Sequence, residues 1–557
     1  MNDGTLFASS VHHLVPLPVV LPLFAAGVKL ALGTRWPRFQ QWVSVAALTA
    51  VLLIGFALMV GADTLGPLAV QLGGWEAPLG ITLVADRLAA LFVTVSAAIT
   101  LAVLVYSIGQ GMAGKAEVAP LSVYQPTYLI LVAGVSNAFL AGDLFNLYVG
   151  FEILLTASYV LLTLGGTQPR MRAGAIYVVV SLLSSVLFLI AIGLVFAATG
   201  TVNMALLAER LWDVSTELRL VLEVILVVAF GIKAAVFPLS AWLPDSYPTA
   251  PVPVTAVFAG LLTKVGVYAI IRAQTLMFPG TQIDTLLLWV ALATMIMGAL
   301  GAVAQNDIKR LLSFTLVSHI GFMLFGVAIG NELGLSGAVF YVAHHITVQT
   351  TLFLITGLIE RRGGSTSLDD LGGLGRIAPV LAVLFFIPAM NLGGIPPLSG
   401  FLGKLGLLQA GVQAGTPMAY ALVVASVVTS LLTLYVMARV WNYAFWRAPA
   451  EGVVAEPGTV LEESEEEGGG DTSTAALGPE EAVGPSSRLE DTATRAATRV
   501  VTSVVLPRSM VGATMALVAM GLALTVFAGP LIAYSSDTAM ELIERTPYIH
   551  AVLGGSR

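Results

Sequence analysis

The sequence predicts an all-α membrane protein of about fourteen spanning helices, built around two inverted five-helix repeats with one broken helix in each. Three observations carry that expectation. Of 557 residues, 57% are hydrophobic and only 11% charged, and the mean hydropathy is +0.90. Apolar runs of about 20 residues, enough to cross a hydrocarbon layer of about 30 Å, recur along the whole chain. A proline-led hexapeptide, PLSAWL at Pro238–Leu243, returns as PLSGFL at Pro397–Leu402, 159 residues later, each time inside an apolar run with a lysine nearby. Lipid offers the backbone no hydrogen-bond partner, so runs of this length are read as helices.

A window of about 19 residues places the spans at roughly 14–33, 42–60, 83–108, 121–141, 144–165, 172–199, 218–247 (broken), 253–275, 285–304, 309–330, 335–359, 377–409 (broken), 417–445 and 509–534. The first lacks a basic leader and a clear cleavage site, so it is read as a retained helix and not a signal peptide. Loops after odd-numbered spans hold Arg35 and Arg38, Lys115, Arg170 and Arg172, Lys309 and Arg310, Arg361, Arg362 and Arg376, then Arg439 and Arg447; only the loop after the seventh has none. Loops after even-numbered spans hold little beyond Arg210, Arg219 and Arg272. The positive-inside rule then puts the odd loops in the cytoplasm and both termini outside.

The formal charge of −7 is concentrated in one place. Residues 451–491 carry twelve acidic side chains and one basic one, which leaves the remainder at +4. Residues 447–508 have too little apolar surface to fold and are expected to form a disordered acidic cytoplasmic loop. The chain therefore divides into 1–120 (spans one to three), 121–278 (first repeat, spans four to eight), 285–446 (second repeat, spans nine to thirteen), the loop 447–508, and 509–557 with the last span and tail. Five spans separate the two broken ones, and an odd offset reverses topology. Nothing points to nucleic acid. The absence of cysteine excludes disulfides, thiolate zinc sites and protein-borne iron–sulfur clusters.

Chemistry is expected where charge sits in hydrocarbon. Lys233 lies in an apolar run that is broken soon after by Pro238, and Lys264 lies near the middle of the next run, Val254–Ile271. A charge at the centre of a spanning helix costs about 2.5–3.5 kcal/mol even on insertion scales. Lysines near helix ends escape by snorkelling, but Lys264 is too deep for that. Lys404 follows Pro396 and Pro397 in the second broken span and falls near mid-membrane. Paired interrupted helices in corresponding positions point to a transport site. Glu152, inside the fifth span, must protonate or find a cation; Lys233 is the nearest candidate, and the two are expected within about 4 Å or one bridging water. Closing and opening such a pair would bind and release a proton on the lysine, whereas a permanently closed pair would be structural.

His319 in span ten and His344–His345 in span eleven can relay protons near neutral pH, or serve as neutral helix–helix hydrogen-bonding groups. Adjacent histidines on a helix point about 100° apart and no third ligand accompanies them, so metal ligation is unsupported and left open. Glu223 and Asp143 fall nearer span edges and are expected at the membrane interface. There is no Walker loop, and GGLGRIAP follows a charged loop and not a strand, so no cofactor is expected.

Glu152, Lys233, Lys264, His319, His345 and Lys404, in this order of spans, resemble the antiporter-like subunits, the family that unites Mrp-type cation/proton antiporters with the proton-pumping subunits of respiratory complex I and membrane-bound hydrogenases. Within it, DLFNLYVGFEILLTASYVLL, NDIKRLLSFTLVSHIGFM and AHHITVQTTLFL are most similar to the D-type subunits of Mrp antiporters. Lys404 fits that pattern, where the complex I relative usually carries glutamate. The chain also ends shortly after span fourteen, without the lateral helix of the larger relatives. The resemblance implies a secondary transporter component in a bacterial plasma membrane, not an enzyme. Its partners would be other Mrp subunits, and its ions protons and sodium. Glu152 and Lys233 would be the modulating pair, Lys264, His319 and His345 the central hydrophilic axis, and Lys404 the terminal proton site. His345, not His344, aligns when TLFL is held in register. One departure is Gln349, where many relatives carry a lysine. The alternatives are a component of a redox-driven pump, and a scaffold whose polar axis is vestigial.

Overall fold

The computed structural model describes residues 11–33, 35–111, 121–448 and 505–554, so most of the acidic 447–508 stretch lies outside the described residues. Every predicted span contains a helix. The helices are α1 (Leu17–Leu32), α2 (Pro37–Leu65), α3 (Arg87–Gly109), α4 (Leu121–Leu140), α5 (Leu144–Thr163), α6 (Gln168–Thr199), α7 (Thr216–Ala234, resuming at Trp242–Ser246), α8 (Val252–Met277), α9 (Ile283–Val303), α10 (Ile308–Ile329), α11 (Glu332–Gly363), α12 (Pro379–Gly393, resuming at Ser399–Ala414), α13 (Pro417–Trp446) and α14 (Arg508–Val526). After α14 come α15 (Ala528–Glu544) and α16 (Thr546–Leu553). Eleven of these are long and apolar enough to cross a membrane unbroken; α1 is shorter, and α7 and α12 are interrupted.

The apolar side chains sort the helices into layers. α8 and α11 are wholly buried, α3 and α10 nearly so, whereas α2, α6, α9, α13 and α14 turn most of their surface outward. A helix apolar on all sides is one enclosed by others or by lipid, so α8 and α11, with α3, α4 and α10 around them, form the centre, and α2, α6, α9, α13 and α14 a lipid-facing jacket.

The inversion is visible in two matching clasps. Asp143 caps α5 by accepting from the Asn146 N–H (2.6 Å). Beside it Leu144 N–H donates to Val202 O and Met204 N–H to Gly142 O. Asp307 caps α10 by accepting from Arg310 N–H (2.9 Å), while Ile308 N–H donates to Thr366 O and Leu368 N–H to Asn306 O. Each bonded residue of the second clasp stands 164 positions after its counterpart. The first clasp lies beside the start of α3, the second beside the end of α13, where Arg439 donates to Val303 O. The same hydrogen bonds thus close opposite ends of the bundle.

The hydropathy window ran the third span through residues that form a β-hairpin. Leu68–Gln71 (β1) pairs antiparallel with Thr82–Ala85 (β2), and α3 begins only at Arg87, capped by Asp86. A four-residue strand of apolar residues is indistinguishable by hydropathy from the helix that follows it. Asp143 caps the start of α5 and Glu223 lies near the α8–α9 loop, so both stand toward span ends, but protein buries both: they are 6% and 0% exposed.

Candidate functional site

Lys233 occupies the last turn of α7 because the helix stops there. Ala235 adopts a left-handed conformation (φ 57°, ψ 49°), a proline follows at 238, and Trp242 Nε1 donates to the freed Ile232 carbonyl (3.2 Å). Its ammonium donates to Ser185 Oγ on α6 (3.1 Å) and stands 5.0 Å from the centre of the Phe151 ring. A small cavity of about 20 Å³, room for one water, adjoins it between Phe151, Tyr177, Ser184 and Trp242.

The expected ion pair with Glu152 does not form. Glu152 is half-buried, its Oε1 is buried without a partner, and no salt bridge joins it to Lys233. The reason is helical geometry: Phe151 faces α7, so the next residue points about 100° away. Glu152 still lies near enough for its charge to act on the lysine.

At the centre, backbone carbonyls stand where acidic partners would be expected. α8 contains a π-helical turn at Phe258–Leu262, and Lys264 Nζ donates to Ala259 O there (2.7 Å). A π turn shifts the hydrogen-bond register and is common at functional sites. Lys404 Nζ donates to Leu392 O (3.0 Å) and Gly393 O (3.3 Å), the last carbonyls of the first half of α12. Those carbonyls are unpaired because the helix ends, and they form the negative end of its dipole.

Between the two lysines stand the histidines. His345 and His319 have ring centres 5.0 Å apart. His319 Nδ1 meets the Tyr341 hydroxyl at 2.8 Å, and both nitrogens of His345 are buried without a partner. Lys264 and Lys404 are both close enough to act electrostatically on each of these rings. His344 Nδ1 meets Ser399 Oγ (3.0 Å) at the second helix break, and Asn391 Oδ1 accepts from Gly400 N–H (2.8 Å). Gln349 Nε2 donates to Leu312 O (2.8 Å), leaving its own oxygen unpartnered.

The structure therefore gathers Lys264, His345, His319 and Lys404 into one buried row from the first repeat to the second, with Lys233 and Glu152 beyond one end. Pro238, Pro396 and Pro397 sit in the two breaks. Tyr341, Ser399 and Asn391 belong to the row and carried no signal in the sequence, being ordinary polar residues in helical runs. Lys29 was also missed; it is buried among α1, α2 and α4, donating to Gln40 O, Ser44 Oγ and Gln125 Oε1. Among the described residues no group of three His, Asp or Glu side chains could hold a metal ion.

Comparison with known proteins places these features in a common frame. The profile of the NADH:quinone oxidoreductase/Mrp antiporter transmembrane family matches residues 141–433. The D subunit of an Na(+)/H(+) antiporter from Alkalihalophilus pseudofirmus is 41% identical over 440 residues, which is 78% of this chain and 87% of that one. A chain of the Mrp complex from Dietzia sp. DQ12-45-1b superposes with a TM-score of 0.83 at 33% identity, covering 99% of this chain and 100% of that one. A chain of respiratory complex I from Thermus thermophilus shares the fold, with a TM-score of 0.73 at 24% identity over 97% of this chain and 100% of that one.

Proposed function

Because this chain belongs to the NADH:quinone oxidoreductase/Mrp antiporter family, we propose that it is the D-type component of a multi-subunit Mrp sodium/proton antiporter and carries that assembly's protons along the buried row. It is a transporter component and not an enzyme. Its partners would be the other antiporter subunits. The membrane would be the bacterial plasma membrane, with the basic loop ends in the cytoplasm and the β-hairpin, α16 and both termini outside.

The observation that carries the reading is the row itself. Four titratable side chains, Lys264, His345, His319 and Lys404, lie buried at the centre, and no acidic side chain among the described residues is paired to any of them. They cannot all be charged at once in hydrocarbon. A proton on one raises the cost of a proton on the next, so charge is passed along and not accumulated. Glu152 would set the charge state of Lys233 through its field and not by contact, and Lys404 would be the terminal site. A redox-driven pump would use similar chemistry; the 41% identity to an antiporter component favours exchange.

Lys404→Ala removes the terminal titrating group and, with it, the donor to the Leu392 and Gly393 carbonyls, so complex content is measured alongside activity. In everted vesicles containing the whole complex, it is expected to abolish the dissipation of a pH gradient on sodium addition, with complex content unchanged on a blot. Full activity in that variant would show that the row is not the proton route.

A further inference from the structure

At the β-hairpin end of the bundle, away from the row, α7, α8 and the start of α9 close around a carboxylate for which the proton route has no use. Glu223, on α7, is 0% exposed. Its Oε1 accepts from Gln274 Nε2 on α8 (3.0 Å) and from Thr281 Oγ1 in the α8–α9 loop (2.6 Å). Its Oε2 has no partner, and neither has Gln274 Oε1, though both atoms are buried and Gln274 is only 6% exposed. Asp284, in the first turn of α9, stands three residues after Thr281, whose hydroxyl bonds Glu223. The neighbouring cation makes no direct contact with it: Arg219 stacks its guanidinium on Trp212, 4.4 Å from the ring centre, and forms no ion pair with Glu223, so its charge acts only across a gap.

The buried atoms left over are all acceptors. Two oxygens without protein donors can be bridged by a water, but the buried negative charge on one of them is cancelled only by a proton or by a cation. The ligand set is hard: carboxylate, amide carbonyl and hydroxyl oxygens, with no nitrogen or sulfur. It is also small. Calcium takes six to eight oxygens and magnesium keeps a strict octahedron, whereas one enclosed carboxylate with a second at the rim suits a single positive charge.

We propose that Glu223, Gln274, Thr281 and Asp284 form a binding site for an alkali cation of sodium's size, reached from the hairpin end beneath the α8–α9 loop. A part for this site in exchange rests on the proposed function; the binding itself does not.

The test is binding of ²²Na⁺ to the purified, intact complex at fixed ionic strength, comparing wild type with two variants. Glu223→Gln replaces the carboxylate with an amide whose N–H₂ can satisfy the orphaned Gln274 oxygen, so it is expected to fold and to lose one sodium equivalent per complex. Asp284→Asn alters only the half-buried rim, leaves the buried hydrogen bonds intact, and is expected to weaken that equivalent at least tenfold. Lys404→Ala, which should stop exchange, is expected to keep full sodium binding, so failure of this site and failure of the proton route give different results. Unchanged ²²Na⁺ binding in both site variants would mean that the orphaned oxygens share a proton, and would overturn the proposal. Displacement of the bound ion by micromolar calcium but not by lithium would overturn its assignment to an alkali cation.

Discussion

The central lysines are held by the ends of helices rather than by acids. Lys404 rests on two carbonyls that exist as free acceptors only because α12 stops at Gly393. Carbonyls tolerate both the ammonium and the neutral amine, whereas a carboxylate partner would fix the charge. An arginine at 404 keeps the charge but cannot release a proton at working pH. Lys404→Arg is therefore expected to be as inactive as the alanine variant in the vesicle assay; a fully active arginine variant would make Lys404 a fixed counter-charge. Glu152 acts across a gap, since the ammonium of Lys233 is bonded to Ser185 and not to it. Glu152→Gln removes the field and keeps the volume. Each pK unit of perturbation lost is a factor of about ten in proton occupancy, so the initial exchange rate should fall about tenfold or more while the complex still assembles. An unchanged rate would leave Glu152 without a part in transport.

The row depends on helices that approach closely enough to hold its side chains in register. α9 and α10 meet at Gly298, where a Cβ would come within 2.3 Å of the Ser318 backbone nitrogen, one residue before His319. Backbone cannot yield as a side chain can. Gly298→Val should force the two helices apart, cost about 1–3 kcal/mol, and displace His319 from Tyr341. The measurable result is a lower melting temperature of the complex together with lost exchange. Gly193→Ala, where nothing lies within 4 Å, is the control expected to change neither. The broken helices were readable in advance because proline removes a backbone donor and because the same proline-led hexapeptide marks both, whereas Pro22, Pro126 and Pro388 lie inside helices that continue. What fills each break was not. Trp242 covers the first, and Asn391, Ser399 and His344 knit the second, through contacts set by packing between segments.

Across the molecule as a whole, α15 is locked onto α2 and α3 at the hairpin end. Arg87 pairs with Glu541 of α15 (2.7 Å) and with Asp63 of α2 (3.0 Å), and the buried Arg272–Asp86 pair lies alongside. A fold so closed at one end still presents a broad apolar jacket, consistent with one component among several. Purified alone into liposomes, the protein is expected to show no sodium/proton exchange; robust exchange would make it a standalone transporter. The number and order of the spans, the inversion of the two halves and the positions of the breaks were legible in the order of amino acids, and so were the buried lysines and histidines of the row, though not Lys29. Each follows from a cost incurred locally, residue by residue, in desolvation or in a lost backbone hydrogen bond. Packing between distant segments was needed to settle that Lys233 bonds a serine and not Glu152. It also settled that His345 stands between two lysines, that β1 and β2 form a hairpin, and that Glu223 is enclosed with its oxygens unanswered. Those outcomes depend on which faces of distant helices meet, and hydropathy, which weighs a helix as a whole, carries no record of its facing.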